Sequence, residues 1–265
     1  MSNFGFLQTL PTNAVVIAIS VAVLTLFLLI TFTFLSGHLR LVDFPKGRKR
    51  HTEPTPTVGG LVIYIAILSG MLVIDPDPKI VWMMAAVSVL VIVGALDDAL
   101  GLSIRIRFAF QILAALVMIL GSGLHLTSIN IGIEFFERLT PWFTIPFTIF
   151  ALVGLTNGFN MADGIDGLAA GYMLVGLLLV AVTSALTAGQ VPQFAWLCCL
   201  LSAVLMFFVV NIKLTPLKKI FLGDAGSMLL GFVMGWILIY YSQEPIRTIH
   251  PIAALWCVAI PVFDT

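Results

Sequence analysis

Eight long apolar runs and the start of a ninth divide this chain, at approximately 14–36, 58–74, 79–96, 108–126, 142–157, 167–188, 194–212, 227–242 and 251–265. An α-helix rises about 1.5 Å per residue, so about 20 apolar residues are needed to cross the roughly 30 Å of hydrocarbon in a bilayer. Hydrophobic residues make up 60% of the sequence and give a mean hydropathy of +1.11. No water-soluble fold has enough interior to enclose that much apolar side chain. The expected fold is an all-α integral membrane protein, a polytopic bundle of about nine transmembrane helices forming one domain over residues 1–265. The first run is too long for a signal-peptide core and lacks a small-residue cleavage site, so it is expected to be retained as a helix.

Acidic and basic residues are equal in number, 13 of each, so net charge says nothing about partners. Their distribution says more. If the N-terminus is outside, alternate loops facing the cytoplasm carry Arg40, Lys46, Arg48, Lys49, Arg50, Arg105, Arg107, Lys213, Lys218 and Lys219, against Lys79, Arg138 and Arg247 on the other side. Such an excess of cations on one side sets the orientation of a multi-pass protein.

On the outer side, Asp75-Pro76-Asp77-Pro78 has the composition of a tight turn. The alternation in Ser128–Phe135 suggests a short extracytoplasmic β-hairpin. Cys198, Cys199 and Cys257 fall inside apolar runs without metal-ligand spacing, which points to packing. There is no low-complexity tract and no repeat with a period of 20–50 residues.

The inner side differs in kind. Adjacent carboxylates at Asp97-Asp98 end an apolar run, and they repel each other unless a metal or basic side chain makes use of them. Asn160, Asp163 and Asp166 recur every three residues and would share one face of a helical turn. There they offer oxygen donors suited to a hard cation such as Mg²⁺, or else the two aspartates cap the helix that follows. Gly223-Asp224-Ala225-Gly226-Ser227 precedes an apolar run, so its free N–H groups would attract a phosphate, order a metal-holding carboxylate, or merely cap the helix. Arg48-Lys49-Arg50-His51 suits a substrate anion, anionic headgroups, or the topology rule alone. Thr55-Pro56-Thr57-Val58-Gly59-Gly60 looks like a stiff extended entry followed by a close-packing glycine pair. Several acidic and amide-rich loops with basic neighbours at one membrane face suit phosphoryl transfer, which needs mainly a metal and cations to align phosphates. A secondary transporter would place its carboxylates near mid-membrane in two related halves, and a non-catalytic scaffold would leave the clustered polar loops without a use.

These residues resemble the polyprenyl-phosphate N-acetylhexosamine-1-phosphate transferases over nearly the whole chain. The motifs are Val42–Pro45 with Arg48–His51, Pro56–Gly60, Asp97-Asp98, Asn157–Leu168 and Phe221–Ser227. Phe159-Asn160-Met161, Gly223–Ser227 and Thr248–Pro251 are most similar to the bacterial branch that uses undecaprenyl phosphate and N-acetylglucosamine-1-phosphate. The muramoyl-pentapeptide branch, the alternative, has a lysine after its aspartate pair and a threonine in the glycine-aspartate motif, where this chain has Gly101-Leu102 and Ala225.

The resemblance implies that undecaprenyl phosphate attacks the β-phosphorus of UDP-N-acetylglucosamine, releasing UMP and leaving a lipid-linked sugar diphosphate that starts a cell-envelope polysaccharide. The implied cofactor is Mg²⁺, with Mn²⁺ as an alternative ion. Asp224 would ligate it with Asn160, and Asp97 and Asp98 would be catalytic, orienting or deprotonating the lipid phosphate. Asn157, Asp163, Asp166, Asn211, Phe221, Arg50 and His51 would bind substrate, with Phe221 stacking on uracil. The implied partners are the two substrates, the lipid bilayer of a bacterial cytoplasmic membrane and a second copy of the chain, with no nucleic acid. Relatives continue into a further inner loop rich in arginine and histidine, so the chain is expected to be truncated at the C-terminus.

Overall fold

A computed structural model describes residues 12–45, 53–129, 140–188, 191–259 and 261. Among the described residues there are nine helices: α1 (Thr12–Leu35), α2 (Gly59–Met71), α3 (Pro78–Leu100), α4 (Ile104–Ser122), α5 (Pro141–Ala162), α6 (Leu168–Ala188), α7 (Phe194–Asn211), α8 (Gly223–Ser242) and α9 (Pro251–Cys257). Seven of them, all but α2 and α9, are long and apolar enough to cross a membrane. The 13 residues of α2 rise only about 20 Å, short of a full span. This is the expected helical multi-pass architecture. One two-stranded antiparallel sheet, β1 (Val42–Asp43) with β2 (Thr55–Pro56), pairs Val42 with Pro56 and Asp43 with Thr55. It lies between α1 and α2; the hairpin expected at Ser128–Phe135 falls, from residue 130 on, outside the described residues.

Helix boundaries follow local chemistry more than hydropathy. Asp77 Oδ1 accepts the Lys79 N–H at 2.8 Å and Pro78 opens α3, while Gly101 (φ 69°) closes it with its N–H on the Asp97 carbonyl. The apolar runs stop at the first polar residues, but the hydrogen-bond ladders do not. The α3 helix carries on through Asp97-Asp98, α5 carries on through Asn157 and Asn160, and α8 begins at Gly223 instead of 227. The polar motifs expected in loops therefore lie largely in terminal helical turns.

At the centre of the bundle stands α8, which packs against α2, α3, α5, α6 and α9 and is buried from Ala225 to Ser242. Small residues make this possible. A Cβ on Gly60 would come within 2.1 Å of the Gly226 nitrogen, one on Gly94 within 2.4 Å of the Ala225 Cα, and one on Gly231 within 2.7 Å of the Thr156 Cα. Three neighbouring backbones thus approach α8 at contact distance, as small-residue seams allow between membrane helices. Aromatic packing joins α7 to α8, with Trp196 edge-on to Trp236 at 5.7 Å and Trp236 stacked on Tyr240 at 4.6 Å.

At one end of the bundle polar groups fasten turns. Gln243 Oε1 accepts the N–H groups of Thr127 and Ser128, and Tyr240 donates to Asp77. The opposite end holds a different arrangement.

Candidate active site

Main-chain bonds seat the segment before α8. The Phe221 N–H donates to the Pro56 carbonyl at 2.7 Å, while Gly59 and Gly60 donate to the Phe221 and Leu222 carbonyls. Beneath it, buried Asn211 joins two loops, accepting the Gly167 N–H at 2.6 Å and donating to the Ile220 carbonyl at 2.8 Å. The chain then turns through Gly223 (φ 76°), where an added Cβ would meet Asp98 Oδ2 at 2.6 Å. That close approach lets Asp98, at the end of α3, cap α8: its carboxylate accepts the Asp224 N–H at 3.1 Å and the Ala225 N–H at 3.4 Å. A negative group here satisfies orphan donors and meets the positive end of the helix dipole.

Asp97 points into the bundle, its side chain only 5% exposed. One oxygen accepts the Leu102 N–H at 2.6 Å, fixing the turn after α3, and the other accepts from Arg107 Nη1 at 2.8 Å. The guanidinium also donates through Nη2 to Asn160 Oδ1 at 3.3 Å, and Nη1 lies 3.8 Å from Asp224 Oδ2. Asn160 Nδ2 in turn donates to Asp224 Oδ1 at 2.6 Å and to Ser227 Oγ at 2.8 Å. One network thus ties α3, α4, α5 and α8 together around Asp224.

Asp163 follows the last residue of α5; its N–H donates to the Phe159 carbonyl at 3.0 Å, and its side chain has no hydrogen-bond or ion-pair partner among the described residues. Burial holds its carboxyl well above the ordinary value of 3.8, and the nearby charges of Asp224, Asp98 and Asp166 push it further the same way. Asp166 does not share that face. Because α5 ends at Ala162 and the chain turns, the three-residue register breaks, and Asp166 pairs with Lys219 at the exposed rim. Lys219 Nζ also sits 4.8 Å from the Phe221 ring centroid.

One turn before Asn160, Asn157 donates through Nδ2 to Gln111 Oε1 at 2.8 Å and to the Val153 carbonyl at 2.7 Å. It lines an apolar groove of about 720 Å³ between α4, α5, α8 and α9, which extends from Phe108 and Asn157 to Ser128 and Ser242 at the far end of the bundle.

Of the residues singled out in the sequence, the fold brings Asp97, Asp98, Asn160, Asp163 and Asp224 together. Asn157 borders them, Asp166 and Phe221 meet through Lys219, and Asn211 braces from below. Arg50 and His51 lie outside the described residues. Sequence reasoning missed Arg107 as a site residue, together with Ser227, Gln111 and Lys219. A signal for Arg107 existed, since a cation in the first turn of α4 opposes the helix dipole and calls for a carboxylate partner.

Among the described residues no three of His, Cys, Asp and Glu form a protein-only metal cage. The donors nonetheless fit Mg²⁺: they are oxygens, Asp163 has a carboxylate without a cationic partner, and Mg²⁺ is commonly held by one or two carboxylates plus substrate phosphates and water.

Residues 80–242 match the family described as glycosyl transferase family 4. The chain is 35% identical over 226 residues to an undecaprenyl-phosphate alpha-N-acetylglucosaminyl 1-phosphate transferase of Escherichia coli (strain K12), a match covering 84% of this chain and 61% of that protein. It is 35% identical over 231 residues to the Yersinia pestis protein of the same name, covering 84% and 62% respectively. It is 32% identical over 259 residues to a probable undecaprenyl-phosphate N-acetylglucosaminyl 1-phosphate transferase of Bacillus subtilis (strain 168), covering 95% and 70%. The chain thus spans about three-fifths of the length of the first two relatives. With a family match over more than half of its residues and relatives of this identity, the chain belongs to glycosyl transferase family 4.

Proposed function

We propose that the protein transfers N-acetylglucosamine-1-phosphate from UDP-N-acetylglucosamine to undecaprenyl phosphate, forming a lipid-linked sugar diphosphate and UMP, at the cytoplasmic face of a bacterial inner membrane. The observation that carries this reading is the meeting of an oxygen-rich cluster around Asp224 with an apolar groove that runs toward the other end of the bundle. A phosphate on a long hydrocarbon chain has that shape and polarity. The names of the relatives point to the same substrates, and the excess of basic residues on this side supports the orientation.

In this reading the lipid phosphate oxygen attacks the β-phosphorus of the sugar nucleotide, the bond to the UMP oxygen breaks, and UMP leaves with its charge. A phosphate monoester is largely ionised near neutral pH, so the protein has to align it more than deprotonate it. Bound Mg²⁺, held by Asp224 with Asn160 and Asp163 beside it, would neutralise the diphosphate. Asp98 holds the first turn of α8 in place, Asp97 anchors Arg107, and Asn157 lies where the headgroup meets the groove. Asp166, Lys219 and Phe221 form the rim that receives the nucleotide, and Arg50 and His51 are assigned to substrate binding by the family resemblance alone.

The test is UMP release by the full-length protein supplied with both substrates and Mg²⁺, compared with Asp224→Ala. The variant and a chelator should each abolish release. Release that survives both removes the metal assignment, and uptake of a solute into liposomes without nucleotide consumption would favour a transporter.

A further inference from the structure

The Arg107 guanidinium stands where a metal ion would be expected. Its Nη1 is 2.8 Å from Asp97 Oδ2 and 3.8 Å from Asp224 Oδ2, and its Nη2 donates to Asn160 Oδ1 at 3.3 Å. These contacts take up one oxygen from each residue assigned to the ion, Asp224 and Asn160. The remaining Asp224 oxygen is held by Asn160 Nδ2 at 2.6 Å. A divalent cation therefore finds both ligands already committed, to an internal cation and to each other.

We propose that Arg107 is an exchangeable internal counter-ion: it competes with the divalent cation for Asp224 and Asn160, and entry of the metal displaces it toward the substrate phosphates while Asp97 keeps its hold on Nη1. The inference rests on the metal assignment made above.

The geometry separates a fixed anchor from a releasable contact. The Asp97 bond is short, and the Asp97 side chain is 5% exposed, so breaking it would strand a buried carboxylate. The Asp224 contact is a full ångström longer and bordered by a carboxylate 28% exposed, where a more strongly charged ion can outcompete it. An arginine released from Asp224 but tethered at Asp97 keeps its planar fork for two phosphate oxygens.

The experiment titrates Mn²⁺ into the full-length protein without substrate, following free Mn²⁺ by electron paramagnetic resonance, for wild type, Arg107→Lys and Arg107→Gln. Lysine keeps a charge for Asp97 without the fork that reaches Asn160, so it guards against loss of the fold in the glutamine variant. Removing the guanidinium that reaches Asp224 and Asn160 should tighten Mn²⁺ binding on the order of tenfold in Arg107→Gln, which loses the charge, and by a smaller factor in Arg107→Lys, which loses only the fork. UMP release should fall in the same proteins. That opposite movement is what a purely structural brace would not produce, because a damaged site loses both. Unchanged or weaker Mn²⁺ binding in folded Arg107→Lys overturns the exchange and leaves the metal assignment standing if wild type binds. Absence of Mn²⁺ binding in wild type overturns both.

Discussion

Asp98 accepts the backbone N–H of Asp224 at 3.1 Å, so one carboxylate of the cluster holds in place the helix that carries another. Replacing Asp98 by alanine removes that cap, and loss of an N-cap costs about 0.5–2 kcal/mol. Asp98→Asn keeps one accepting oxygen and should lose less. Thermal unfolding in detergent should rank wild type above Asp98→Asn above Asp98→Ala, and the opposite order for the two variants would show that the carboxylate does not act as a cap.

Asn211 should prove structural in origin yet visible in activity. Asn211→Ala strands the Gly167 N–H and the Ile220 carbonyl inside the protein, and each buried unsatisfied group costs about 1–3 kcal/mol. Asn211→Asp keeps an acceptor for Gly167 but sets an oxygen against the Ile220 carbonyl. Both variants should unfold at lower temperature and raise the KM for the sugar nucleotide, since the loops bearing Asp166 and Phe221 lose their common brace. Wild-type stability in Asn211→Ala would contradict this.

Glycines give a sharper contrast. A Cβ at Gly94 would sit 2.4 Å from the Ala225 Cα, whereas one at Gly154 meets nothing within 4 Å. Gly94→Ala should force α3 from α8, with overpacking costs of about 1–3 kcal/mol or more, and shift Asp97 and Asp98 relative to Asp224. Gly154→Ala should behave like wild type in unfolding temperature.

Stability should depend on pH through Asp163. Its folded-state carboxyl is raised above the ordinary 3.8 by burial and then by Asp224, Asp98 and Asp166. A group raised in this way contributes stability that is fully present below its unfolded value and is lost as pH rises through its folded value. In chelator-treated protein, Asp163→Asn should therefore unfold at a higher temperature than wild type above that folded value, with the gap closing toward pH 4. Mg²⁺ should narrow the gap at high pH by giving the carboxylate a partner. A gap that widens on acidification would reverse the assigned sign.

The helices were legible because lipid imposes a length and a polarity that composition displays directly. The inner motifs were legible as a group, since Asp97-Asp98, Asn157–Gly167 and Gly223–Ser227 recur on alternate loops. What hydropathy could not show was where helices end: Asp97, Asn160 and Asp224 are polar, so apolar windows exclude them, yet each belongs to a terminal turn. Pairing was also hidden. Arg107 looked like one basic residue among many serving topology, and its bond to Asp97 depends on the tight turn at Gly101. Asn211 could be suspected of touching substrate because nothing in its apolar surroundings reveals that Gly167 and Ile220 fold back onto it. Asp166 was grouped with Asp163 by spacing, and the end of α5 at Ala162 undid that grouping.

The enclosure of α8 has a consequence for how the protein senses its surroundings. Hydrophobic mismatch between a membrane and its proteins acts on lipid-facing surfaces, and the helix bearing Asp224 presents almost none. Changes in acyl-chain length or lateral tension would tilt the outer helices first and reach Asp224 only after passing through the glycine seams at Gly60, Gly94 and Gly231. Asp224 is thereby insulated from fluctuations in the thickness of the surrounding bilayer.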